Sequence, residues 1–184
     1  GWSFLKGIVK DKPERISAYI KSDEQRKLFI EKVKSVISPD HQMEIDFINF
    51  SDPHKSEDYG GIFIPGPGIS EFCSKRSYHG HDKYSVVGIT HTTASHTVMD
   101  GFSSLAMSDV MPWDAIICTS ECVLDTVKNV IDDRFKRLSA KFTIKNPVYP
   151  QLPVIPLGLD KDEFEYTEDF KLQSRNSLGI NVDD

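Results

Sequence analysis

Residues 85–97 read SVVGITHTTASHT. A run with buried-strand character ends in His91, followed by Thr92 and Thr93 and then, past Ala94 and Ser95, by His96. An imidazole beside two hydroxyls at a strand end can hydrogen-bond a polyol, or steady charge that develops as a bond to oxygen breaks. It does so without a full permanent charge at neutral pH. The competing reading is plain capping of strand and loop, which suits Thr92 and Thr93 at least as well. A second stretch of interest is Pro65-Gly66-Pro67-Gly68. Gly66 and Gly68 would let a ligand approach the backbone closely, or would simply make a tight turn. Arg76 has the chemistry to meet an acidic group such as a phosphate on a ligand, against the alternative of a solvated surface guanidinium. His79 and His81, in His-Gly-His, are of metal-ligating type but lie in a charged loop that reads as a solvated turn. Ser120 reads as a helix cap.

These residues need elements to bring them together. Ser22 with Gln25 fits a capping box, and Phe29, Val33, Val36 and Ile37 recur at helical spacing, with a stop before Pro39. Met43, Ile45 and Phe47 alternate with Glu44 and Asp46, which predicts a strand with one face buried. Short continuous apolar runs at 62–64, 86–89, 115–118 and 154–155 predict further strands, the last flanked by prolines. Helices are expected at about 70–77 and behind Ser120, where Val123, Val127, Val130 and Ile131 hold core spacing. Thr167 can cap a helix through Phe170, Leu172 and Leu178, with Gly179 as its stop. Residues 1–20 show apolar side chains but no clean period before Pro13.

Continuous apolar strands alternating with helices mark an α/β fold with a Rossmann-like parallel sheet flanked by helices. Ligands of such sheets bind outside the carboxyl ends of the strands. Those ends carry residues 65–68, His91-Thr92-Thr93 and Thr119-Ser120, so three separate stretches are expected to line one edge.

A chain of 184 residues with 39% hydrophobic residues can bury one real core and begin a second domain. A net charge of −6 argues against nucleic acid or anionic lipid as a partner. No apolar run approaches the roughly 18 residues that span a bilayer, and no secretory signal is visible, so no transmembrane segment is expected. Cys73, Cys118 and Cys122 form an odd set without framework spacing. That favours free thiols in a reducing compartment, hence a cytoplasmic location. The acidic stretch DKDEFEYTED, residues 160–169, reads as a solvated face. The first residue is Gly1 and not Met, so a segment preceding it is an open question.

Four stretches, in order, resemble GT-B glycosyltransferases of the large retaining family 4. VIPLGLDKDEF (154–164) resembles the "VIPNGVD…F" segment that closes their N-terminal domain, and RNSLGINVDD (175–184) resembles the "R…LGI…DD" segment that opens their second domain. WDAIICTSE (113–121) is similar to their "D.ii..S" strand, and GITHTTAS (88–95) to the "FHT" strand end of phosphatidylinositol mannosyltransferase-like members. The resemblance covers residues 60–184. It implies two Rossmann-like domains with a cleft between them, the first binding mainly acceptor and the second the nucleotide-sugar donor. On this reading residues 1–60 are an atypical N-terminal part of the first domain and 61–166 its remainder. Residues 167–184 are a linker or the start of the missing donor-binding domain.

The implied activity is transfer of a sugar from a nucleotide-diphosphate sugar to a hydroxyl of a glycan, lipid or small-molecule acceptor. The leaving phosphate helps to deprotonate the acceptor on the same face. Catalysis would then rest largely on positioning and electrostatics. His91 takes the catalytic role, and Gly66, Gly68, Thr92, Thr93 and Arg76 the acceptor or sugar contacts. No metal and no cofactor are implied, since the nucleotide sugar is a substrate, and this part alone is expected to be inactive. The sequence departs from the family pattern in lacking an initial strand with a Gly-rich loop and a "GHxV" turn in residues 1–60, and in Leu157, where Asn is common. Two alternatives stay open. One is a free-standing flavodoxin-like binding module, which the absence of a G-x-G-x-x-G fingerprint disfavours as a dinucleotide binder. The other is a sugar-nucleotide epimerase of the same fold.

Overall fold

The first residues, without a readable period in the sequence, form a helix and a strand. In the computed structural model, which describes residues 2–38, 40–158 and 165–180, α1 (Trp2–Lys10) leads to β1 (Arg15–Ile20). Helix α2 (Asp23–Lys34) follows. Its cap is Ser22, whose hydroxyl accepts from the Gln25 amide at 3.3 Å, while Gln25 Oε1 accepts from the Lys21 amide at 2.7 Å. The box is thus closed one residue earlier than expected, and the helix ends before Val36 and Ile37, which lie in the following turn. Strand β2 (Glu44–Asn49) pairs in parallel with β1, from Arg15 opposite Glu44 to Ile20 opposite Asn49.

The second half of the fold is built on β3 (Gly61–Ile64), β4 (Ser85–Ile89) and β5 (Ala115–Ile117), parallel and in that spatial order. Between them lie α3 (Ser70–Ser77) and α4 (His96–Ser104), and after them α5 (Glu121–Ser139). The architecture is therefore α/β, with Rossmann-like parallel strands flanked by helices, but the strands fall into a two-stranded and a three-stranded sheet.

The strand expected at 154–155 appears as two isolated parallel bridges, Ala115 to Gln151 and Cys118 to Val154. Hydrogen bonds run from Gln151 N to Asp114 O, Ile116 N to Gln151 O, Cys118 N to Pro153 O and Ile155 N to Cys118 O. The rung that residue 153 would donate is absent because proline has no N–H, which interrupts the ladder.

The contiguous core belongs to the three-stranded sheet. Ile69, Cys73, Val86, Phe102, Ile116, Val127 and Ile131 are among its fully enclosed members, with Ile62 buried beside them. Helix α5 supplies Val127, Ile131, Phe135 and Leu138 on one face, each stabilising by about 1.5–3 kcal/mol. The first sixty residues bury far less, with Val9, Val33 and Ile48 their enclosed hydrophobics.

Helix α6 (Glu168–Ser177) starts at the expected cap, Thr167, whose hydroxyl accepts from the Phe170 amide, and stops at Gly179 with φ 69°. It buries no residue, and Phe170, Leu172 and Leu178 are exposed. Residues 159–164 and 181–184, which carry much of the VIPLGLDKDEF and RNSLGINVDD stretches, lie outside the described residues.

Candidate functional site

The strand ends converge as the parallel topology requires. The 65–68 loop folds back over β4, where the Ile89 amide donates to Gly66 O at 3.1 Å. This crossing fixes Gly88. A Cβ there would lie 2.6 Å from Gly66 O and 2.7 Å from Ile69 Cγ2, closer than real Cβ atoms come. The next connection is made by Thr90, which is buried. Its amide donates to Ile117 O at 3.0 Å, and its hydroxyl lies 3.1 Å from that oxygen while accepting from the Thr119 amide at 3.2 Å. Loop 65–68, Thr90–His91 and Thr119–Ser120 are thereby tied into one edge.

Within it, His91 is exposed, lies two residues past the end of β4, and makes no hydrogen bond or ion pair among the described residues. It is not part of the core. The hydroxyl of Thr92 accepts from the Ala94 amide at 3.1 Å, a local turn bond, and Thr93 is half-buried. Gly66 and Gly68 are informative in a different way. Neither has a positive φ, and a Cβ on either would meet nothing within 4 Å. The tight turn (Gly66 N to Ile64 O, 2.7 Å) accordingly does not demand glycine for conformation or internal space, and the backbone there faces open room. Helices α3, α4 and α5 all begin at this edge, the last two capped by Ser95 and Ser120 hydroxyls. Their electropositive ends favour anionic groups there.

Arg76 is not with them. It is wholly buried at the opposite, amino end of the strands. Its guanidinium donates to Asp114 Oδ1 at 2.5 Å and Oδ2 at 2.8 Å, to Tyr84 O at 2.7 Å and to Asp109 O at 3.0 Å. Asp114, just ahead of β5, also accepts from the Val86 and Met111 amides, both at 2.8 Å. Burial lowers the Arg76 pKa, but the Asp114 hydrogen bond and charge more than reverse this, and the net direction is upward. Arg76 is thus a structural lock, out of reach of a ligand, and neither the acceptor contact nor the surface arginine that the sequence offered. His96 pairs with Asp100 at 2.9 Å on the exposed face of α4, and His79 and His81 are exposed. Among the described residues no cluster of His, Cys, Asp and Glu could hold a metal ion.

Sequence reasoning missed Gly88, Thr90 and Asp114. Only Asp114 carried a signal, an acidic residue directly before an apolar strand. It also missed a cavity of about 740 Å³, which lies between β1 and β3 and not over His91.

No protein family, curated protein or solved structure matches this chain. No helix among the described residues is long and apolar enough to cross a membrane.

Proposed function

We propose that this chain is the acceptor-side domain of a retaining glycosyltransferase that moves a sugar from a nucleotide-diphosphate sugar to an acceptor hydroxyl. One observation carries the reading: an exposed, uncommitted imidazole, His91, shares the carboxyl edge of a parallel sheet with a glycine loop whose glycines the fold does not require. Glycosyl transfer builds positive charge on the sugar ring and negative charge on the departing phosphate. An imidazole held past the strand end hydrogen-bonds the sugar as that charge develops. The open backbone at Gly66 and Gly68 admits the acceptor, and the helix ends around them favour its phosphate-bearing neighbour. Arg76 has no part in the reaction.

The test is release of nucleoside diphosphate by the full-length protein, assayed with UDP-glucose, UDP-N-acetylglucosamine and GDP-mannose and a panel of hydroxyl acceptors. His91→Ala should lower turnover roughly 100-fold, the loss seen for a single preorganised donor, and leave the melting temperature unchanged. No turnover with any donor, or an unaltered rate in the variant, would sink the proposal.

A further inference from the structure

The two sheets face each other across a gap with the shape of a missing strand. In β1, Glu14 O accepts from Glu44 N and Ile20 O from Phe50 N. Backbone groups alternate sides along a parallel strand, so residues 14, 16, 18 and 20 serve β2, while Ser17 and Tyr19 turn their N–H and C=O away from it. In β3, Gly60 O accepts from Ser85 N, so Gly61 and Phe63 likewise turn theirs away from β4. Both sets point at the cavity, and neither meets a strand among the described residues. Leu5 and Ile8 of α1 line it, with Ala18, Ile48 and Phe63. Ser56, which is wholly buried, also lines it, and its hydroxyl has no hydrogen-bond partner among the described residues. A small apolar ligand would cover the greasy walls but leave two rows of backbone donors and acceptors unsatisfied, at a cost of the order of 1–3 kcal/mol for each buried group.

We infer that the gap seats a sixth parallel strand, an apolar segment that the native polypeptide carries immediately ahead of Trp2, giving the spatial order β2, β1, added strand, β3, β4, β5. The placement of α1 selects this source. Its carboxyl end feeds β1 through residues 11–14, so α1 runs against the strands and begins at their carboxyl edge. There Phe4 stacks on Phe63 with ring centroids 3.6 Å apart. A strand parallel to its neighbours would end where α1 starts. Added strand, α1 and β1 then form one βαβ unit, the connection that adjacent parallel strands use. The helix has nine residues. At about 1.5 Å per residue it matches a strand of roughly four residues. The inference concerns the completeness of the sheet and does not depend on the transfer reaction.

The test compares the 184-residue chain with one extended by the codons that precede residue 1 in its native reading frame. The extension should contain an apolar, β-branched run of about four or more residues close to Trp2. In the extended chain the Tyr19 and Phe63 amides should exchange with solvent at least ~100-fold more slowly than in the 184-residue chain. An apolar fluorescent dye, anilinonaphthalene sulfonate, that binds the shorter chain should be excluded. A reading frame that starts at residue 1, or an extension without such a run, overturns the inference. So does an extended chain whose amides stay fast and whose gap still takes up the dye, which would assign the gap to a small ligand.

Discussion

Replacing Asp114 with Asn keeps the size of the side chain and removes its charge. The consequences follow from the five donors around it. Arg76 Nη1 and Val86 N address Oδ1, while Arg76 Nη2, Met111 N and the Cys73 thiol address Oδ2. An amide offers one oxygen, so its NH₂ must face one of these groups, and at least one buried backbone N–H loses its acceptor, at about 1–3 kcal/mol. The guanidinium of Arg76, fully enclosed, is left without a counter-charge, and breaking a buried pair in this way costs about 3–5 kcal/mol. The two penalties overlap, so a loss of about 4 kcal/mol is expected, out of the 5–15 kcal/mol that a domain commonly has. In a chain of this size that lowers the melting temperature by about 8–16 °C. Urea unfolding followed by tryptophan fluorescence measures the same loss, with Trp113 adjacent to the substituted position. Arg76→Met removes the stranded charge. Combined with Asp114→Asn it should cost clearly less than the two single losses added together, because the partners are directly bonded. A single-variant loss under about 1 kcal/mol, or strict additivity, would refute the reasoning and leave Arg76 available for a role in binding.

Gly88→Ala forces a Cβ against Gly66 O at 2.6 Å, and overpacking against backbone should lower stability by about 1–3 kcal/mol; a calorimetric melting temperature within 1 °C of the parent's would mean the loop yields freely. Burial pushes the thiol of Cys73 up to about 12 and that of Cys118 up to about 11, while Cys122 is exposed. Iodoacetamide at pH 8 should therefore alkylate Cys122 alone in the folded chain and all three cysteines in urea, as read by mass spectrometry. Asp46 is held below the ordinary carboxyl value of 3.8 by the Tyr59 hydroxyl and by Arg15. A depressed folded-state pKa stabilises above the unfolded value and is lost as pH falls through the folded one. The β1–β2 pair should thus loosen from about pH 5 downward, and Asp46→Asn should flatten that dependence in amide-exchange profiles.

What the sequence made legible depended on how completely each element is enclosed. Strands β3, β4 and β5 sit within the core, so their side chains are apolar almost without interruption, and they stand out beside helix α3 and the capped helix α5. Strand β1 reads Arg-Ile-Ser-Ala-Tyr-Ile and has no fully buried residue. It borders an unfilled gap, and its alternation of Ile16, Ala18 and Ile20 with Arg15, Ser17 and Tyr19 spans only six residues, a half-buried strand signal that sequence reasoning missed behind the unpatterned residues ahead of Pro13. The convergence of residues 65–68 and His91 was readable because it follows from topology alone. Arg76 was not, since its burial is decided by Asp114, 38 positions along the chain, and local sequence has no expression for a partner at that distance.

The contrast between the two strand edges gives His91 its meaning. At the amino edge one carboxylate gathers a guanidinium, the Val86 amide of β4 and the Met111 amide of the loop before β5 into one cluster. It fixes β4 and β5 relative to α3. With that register held from below, the carboxyl edge needs only the hydroxyl of Thr90 and the crossing over Gly88 to keep its loops in place. The exposed imidazole above, His91, is then free of structural duty, and the positions of Gly66 and Gly68 have open room where a side chain would stand. A position released from stabilising the fold can carry a side chain chosen for what it binds, which is why a substitution at His91 should be read in turnover and one at Asp114 in stability.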